Sequence, residues 1–221
     1  MDRLSPRYAY LLAALVLATA IVSNGGCRTA LTTAALLIKG TDVDPDFPGL
    51  KGKKVAVVCR PIVDLTYKNS SVAKDLARQL AILLKERVPK IELIDQRKVE
   101  KFTDETPWNE FTEVGEAVGA DMVVAVDLRG FTTFQSQTLY QGKADVEVAV
   151  YPTHGDGQPE FQKTLPQLVY PPSTGIPTSE RTEPGFRREF VGVLADAIGR
   201  NFYRHDPHAD CAMDATAMER Q

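Results

Sequence analysis

The sequence predicts an α/β fold with α+β character: a mixed sheet with a parallel βαβ first half, then an antiparallel hairpin and a closing C-terminal helix. Three observations predict it. Val55-Ala56-Val57-Val58-Cys59 and Met122–Leu128 are continuous apolar runs without alternation, as expected of strands buried on both faces. The stretch between them carries helical periodicity, so strand, helix, strand, helix, strand follow one another as in a sheet with parallel members. From Leu139 to Tyr151 the pattern turns to alternation, Val146, Val148 and Val150 against Asp145, Glu147 and Ala149, which sets one face on the core and the other in water.

The 221-residue chain opens with Arg3 and Arg7, an apolar run from Tyr8 to Val22, and the small, polar stretch Ser23-Asn24-Gly25-Gly26 before Cys27. This is the order of a secretory signal over residues 1–26. The apolar run falls short of the roughly 20 residues that a spanning helix needs. Cys27 reads as a lipid acceptor, the site of palmitate-type acylation. The stretch resembles the bacterial lipobox, with Asn24 where that motif usually carries Leu. Cleavage after Ala18-Thr19-Ala20 would instead release a soluble periplasmic protein. Residues 27–52 read as a lipidated tether, since Asp42, Asp44, Pro45, Asp46 and Pro48 leave no packing pattern. A single domain is expected over 53–203 and a polar tail over 204–221.

Within the domain, Pro61 stops the first strand. A helix is expected from Ser71 to Arg87, capped by Asn69 or Ser70, with Val72, Leu76, Leu80, Leu83 and Leu84 on one stripe. Pro89 ends it and a short strand, Ile91–Ile94, follows. Asp95 caps a helix beginning at Gln96, and polar, partly helical sequence containing Trp108 runs on to Val118. Gly155-Asp156-Gly157 signals a hairpin turn, and Phe161–Tyr170 returns antiparallel at a sheet edge, as Pro166 requires. The loop from Pro171 to Pro184 is rich in Pro, Ser and Thr and should be stiff and exposed. The last helix, Gly185–Tyr203, turns Phe186, Phe190, Val193, Leu194, Ala197, Ile198 and Phe202 to the core.

These elements assemble an arrangement that resembles the small α/β domain of the curli-secretion lipoprotein, the lipoprotein activators of penicillin-binding proteins and the amino-terminal domain of the periplasmic Tol protein. The stretches that carry the likeness are Lys53-Lys54-Val55-Ala56-Val57-Val58, Ile91-Glu92-Leu93-Ile94-Asp95, Gly119-Ala120-Asp121-Met122-Val123-Val124 and Phe202-Tyr203. Tyr170-Pro171-Pro172-Ser173-Thr174-Gly175-Ile176-Pro177 and His205-Asp206-Pro207-His208 are similar to stretches in lipoproteins of planctomycete bacteria. That likeness brings no activity with it, and no functional residue of the named relatives maps onto a position here.

The net charge is −3 with both signs interspersed. Lys51-Gly52-Lys53-Lys54 and Arg187-Arg188 are short and far apart, so nucleic acid is not an expected partner. Phosphate-cradling loops, a G-x-S-x-G elbow and H-E-x-x-H are absent, and neither a cofactor nor an enzymatic activity is expected. A small ligand would bind outside the carboxyl ends of the parallel strands, where Arg60, Asp95 and Asp127 stand with Cys59. Their alternative reading is that Arg60 and Asp64 are loop charges, Asp95 caps the helix beginning at Gln96 and Asp127 pairs locally. Cys59 and Cys211 could pair in an oxidising compartment. His205 and His208, with Asp210 and Cys211 behind them, form a weak zinc-type set in a terminus that Pro207 keeps from being helical.

The expectation is therefore an accessory module anchored in the cell envelope, with a membrane contact through its lipid and an envelope protein as partner. The docking element would be the loop of Tyr170, Pro171, Pro172, Ile176 and Pro177, and the alternative is a ligand-binding or enzymatic domain using the strand-end crevice. If Cys27 is acylated, labelled palmitate enters the wild-type protein and not Cys27→Ser, and only the wild type sediments with membranes. Incorporation into neither would favour the soluble product.

Overall fold

A computed structural model of the protein describes residues 42–61 and 63–207, and between 63 and 70 the backbone alone. Of two compact units, Met1–Val43 and Asp44–Gln221, the second carries the sheet and every described helix. In chain order the elements are β1 (Lys54–Pro61), α1 (Val63–Arg87), β2 (Glu92–Leu93), α2 (Gln96–Glu105), α3 (Phe111–Val118), β3 (Met122–Ser136), β4 (Leu139–Pro152), β5 (Phe161–Thr164), β6 (Leu168–Tyr170), β7 (Ile176–Pro177) and α4 (Glu183–Gly199).

The sheet runs β2-β1-β3-β4-β5, with β6 and β7 also paired to β4. The β2–β1 and β1–β3 pairs are parallel, and every pair made by β4 is antiparallel. The two apolar runs lie side by side, Val55 opposite Met122 through Pro61 opposite Leu128. They lack alternation because both of their faces are covered. Val55, Val57, Val124 and Val126 join the larger core, which holds the α1 stripe Val72, Leu76, Leu80 and Leu84 and the α4 residues Phe186, Phe190, Leu194 and Ile198. Ala56, Val58, Val123 and Ala125 join a smaller core with Val99 of α2 and Phe111, Val114 and Val118 of α3. Gly119, at φ 73°, closes α3 in the left-handed conformation that a side chain would strain. Gly142 lets α4 approach β4, since a Cβ there would lie 2.5 Å from the Phe190 ring.

Several boundaries depart from the sequence reading. The first helix begins at Val63, so Asn69 and Ser70 lie inside it and not at its start. No glycine or proline interrupts residues 63–87, and propensity alone does not stop a helix that has a face to bury. The β2 strand is only two residues long. The third strand runs eight residues past Leu128, because β4 pairs with it as far as Ser136 opposite Leu139. Leu165-Pro166-Gln167 divides the expected return strand into β5 and β6, as a residue without an N–H dictates. The last helix starts at Glu183 with Thr182 as its cap, and Val191 and Ala195 are buried where Val193 and Ala197 were expected to be.

The expected tether is part of the fold at its carboxyl end. Leu50 is fully buried in the larger core, and the Phe47 ring packs on Phe161 at 5.6 Å. Phe47 N–H donates to the Asn201 carbonyl at 2.9 Å, and Lys163 Nζ donates to both Asp46 and Asn201. Composition hides this because one leucine and one phenylalanine among prolines and acids make no periodic pattern. Leu50→Ala should lower stability by about 2–5 kcal/mol in urea titration. A change below about 0.5 kcal/mol would mean that this segment adds nothing to the fold.

Candidate functional site

On the face that carries α2 and α3, the strands put Arg60 opposite Asp127, Asp127 opposite Glu147 and Glu147 opposite Thr164, one polar row across β1, β3, β4 and β5. Arg60 grips Asp127 with two hydrogen bonds, Nε to Oδ1 at 2.9 Å and Nη2 to Oδ2 at 3.2 Å. Its Nη1 donates to the Asn109 carbonyl at 3.1 Å. The guanidinium lies 4.5 Å from the centre of Phe111 and 5.8 Å from that of Trp108. Phe111 in turn stacks on Tyr151 at 5.8 Å, so the cation rests on an aromatic shelf. Beside it Glu147 is held by Arg129 and Gln162.

Two of the three expected crevice residues therefore meet, and the third does not. Asp95 accepts from the Arg97 N–H at 3.0 Å as the cap of α2, and it lines a separate groove with Ile82, Lys85 and Leu93. The reason is register: Leu93 stands opposite Val55, five residues before Arg60, and β2 ends there. Arg60 and Asp127 satisfy each other as a bidentate ion pair, which orients charge and offers no ready proton donor or base. Cys59 turns to the other face of the sheet, where it packs against the larger core. Burial, and secondarily the charge of Asp127, push its thiol above the ordinary range, so it is not a ready nucleophile.

The loop expected to dock is only partly free. The Tyr170 ring lies against Phe186, and its hydroxyl donates to Glu189 at 2.6 Å. Ile176 and Pro177 form β7 on the first residues of β4, and Ile176 packs against the core. Gln141 Nε2 donates to the Pro171 carbonyl at 3.1 Å. Pro172, Ser173 and Thr174 remain exposed. Beside them is a residue the sequence reading missed, Phe134, 44% exposed on β3 with its ring tilted against Tyr140 at 5.0 Å. Its only signal is an aromatic side chain alone in the polar stretch Thr132–Thr138. His205 Nδ1 lies 3.3 Å from the Tyr203 carbonyl. Cys27, His208 and Cys211 lie outside the described residues, as do the lipidation, the second zinc-type ligand and the disulfide they would serve. No helix among the described residues is long and apolar enough to cross a membrane.

No protein-family model and no curated protein matches the chain. Solved structures with a similar fold include the PelC dodecamer from Paraburkholderia phytofirmans, at 10% identity and TM-score 0.43 over 74% of this chain and 96% of that one. A lipoprotein from Neisseria meningitidis is similar at 11% identity and TM-score 0.37, covering 66% of this chain and 94% of its own. A minor lipoprotein from Acinetobacter baumannii is similar at 15% and 0.32, covering 73% and 95%. No residue or role is carried across from them, and the planctomycete likeness rests on its quoted residues alone.

The half-buried Cys59 thiol and the buried Tyr203 hydroxyl make the fold sensitive to alkali. Burial pushes up both the Cys59 thiol and the Tyr203 hydroxyl, the latter aided by its hydrogen bond to Asp196 and that group's charge. Each keeps its proton longer in the folded state, so its contribution is complete below its unfolded value, near 9.0 for Cys59 and 10.0 for Tyr203, and is lost as pH rises above that. The unfolding free energy from urea titration should fall from about pH 9 upward, with a slope of up to about 1.4 kcal/mol per pH unit for each group. Iodoacetamide at pH 8 should label Cys59 much faster in urea than in the folded protein; equal rates would contradict the assignment.

Proposed function

We propose that this protein is a lipid-anchored accessory module of the cell envelope that docks on an envelope protein through the end of its long hairpin. The observation that carries the reading is the joining of two exposed segments into one surface. Thr178 N–H donates to the Thr138 carbonyl at 2.9 Å, and β7 pairs with Leu139 and Tyr140, so the proline-rich loop is bound to the hairpin end that presents Phe134. Leu50 and the start of β1 lie at the other end of the same sheet. A chain tethered through Cys27 and entering at Asp44 would thus present Phe134, Pro172, Ser173 and Thr174 away from its point of entry. An exposed aromatic beside proline is a compact anchor, because neither loses much conformational freedom on binding.

A ligand-binding or enzymatic role at the strand ends has less support, since Arg60 and Asp127 are engaged with each other and Asp95 serves a helix. The test is affinity capture from the native envelope with the full, anchored chain. Phe134→Ser combined with Pro172→Gly should keep the wild-type melting temperature within about 2 °C, since both residues lie outside the core. The variant should lose the partner that the wild type retains. Retention of the same partner by the variant would refute docking at this end.

A further inference from the structure

We propose that the C-terminal tail, residues 208–221, docks in the groove between α1, β2 and α2 of its own domain. The groove, about 750 Å³, has an apolar floor of Ala81, Ile82, Leu93 and Ile94. Ile82 is 52% exposed, more than any other large apolar side chain among the described residues. The outer edge of β2 borders it, with no further strand beyond among the described residues. Around the rim stand three cations. Arg78 is taken by Glu100 and Asp75, whereas Lys85 and Arg97 have no carboxylate partner among the described residues. Asp95, the one acid on the rim, is engaged as the cap of α2. What fits is a segment that brings apolar side chains to Ile82 and carboxylates to Lys85 and Arg97.

The tail has that chemistry. His208-Ala209-Asp210-Cys211-Ala212-Met213-Asp214-Ala215-Thr216-Ala217-Met218-Glu219 interleaves small and methionine side chains with three acids. It also leaves the domain within reach. Tyr203 lies under Arg87, the last residue of α1, at 5.9 Å. Ile82 is about 7.5 Å back along that helix and about 10 Å around it. Pro207 is at most about 14 Å from Tyr203, and Met218, eleven residues past Pro207, can extend up to about 36 Å, so the tail spans the distance to Ile82. Tethering holds such a segment at an effective concentration of order millimolar, at which even a weak intrinsic affinity keeps the groove largely covered. The tail would then shield the exposed isoleucine and a sheet edge from other chains.

The test places a photoreactive benzoylphenylalanine at position 82 of the full chain and maps its cross-links by mass spectrometry. The expected result is an intramolecular cross-link to residues 208–221. Its yield should fall roughly fivefold in Lys85→Glu/Arg97→Glu, as two weak exposed ion pairs become repulsive, and recover when Asp210→Lys and Asp214→Lys are added. Cross-links only to a second chain, none at all in folded protein, or a yield indifferent to these charges would overturn the proposal. Both cations are on the surface, so the reversed variants should fold, and the cross-link map of the otherwise unaltered chain stands without them.

Discussion

The seven-residue parallel ladder between β1 and β3 is the constraint on which the rest of the structure depends. Parallel neighbours cannot be joined by a tight turn, so the sixty residues between Pro61 and Met122 must leave the sheet and return. They do so as α1 on one face and α2 with α3 on the other, with two-residue β2 between them. Covering both faces removes any wet side from β1 and β3, and for that reason their sequences show no alternation. Once β3 passes Leu128 it loses β1 as a neighbour and continues with β4 alone, and alternation toward water returns in the residues that follow.

That change of neighbour also sets where charge is allowed. On the α2–α3 face the row below Arg60 is Val58, Ala125 and Ala149, sealed by the helices. The next row is Arg60, Asp127 and Glu147, beyond the first turn of α3, where water reaches the sheet. Opposite charges there stand on adjacent strands and neutralise one another, and the aromatic shelf of Phe111, Trp108 and Tyr151 supports the arginine. With side chains 26–42% exposed, the Arg60–Asp127 pair contributes modestly to stability and mainly fixes the geometry of that edge of the smaller core.

Attachment of the entering chain follows a different logic. Leu50 fills the larger core below β1, while Asp46 and Phe47 are held by Lys163 of β5 and Asn201 just after α4, three segments far apart in sequence. Arg204 extends the same cluster to Asp44 at 3.0 Å. The chain's entry and the end of its last helix are therefore held together, and the hairpin end with its proline-rich loop stands at the far side of the sheet.

Much of this was legible in the chain itself. Apolar runs buried on both faces, the four-residue spacing of Val72, Leu76, Leu80 and Leu84, the cap at Asp95 and the alternation before Tyr151 each record a local environment in the residues that experience it. Pattern reading failed where one residue met a distant one. Leu50 has no periodic companion, Asn69 and Ser70 are capping types absorbed into a longer helix, and Phe134 is distinguished only by what its neighbours leave uncovered. The candidate site divides in the same way. The strand order brought Arg60 and Asp127 to the same end of the sheet, and the register of β1 against β3 made them an ion pair. The length of β2 and its register, which no local pattern encodes, removed Asp95 from that pair and gave it to a different groove. Periodicity reports which face of an element is buried, and only tertiary structure decides which distant residues share that face.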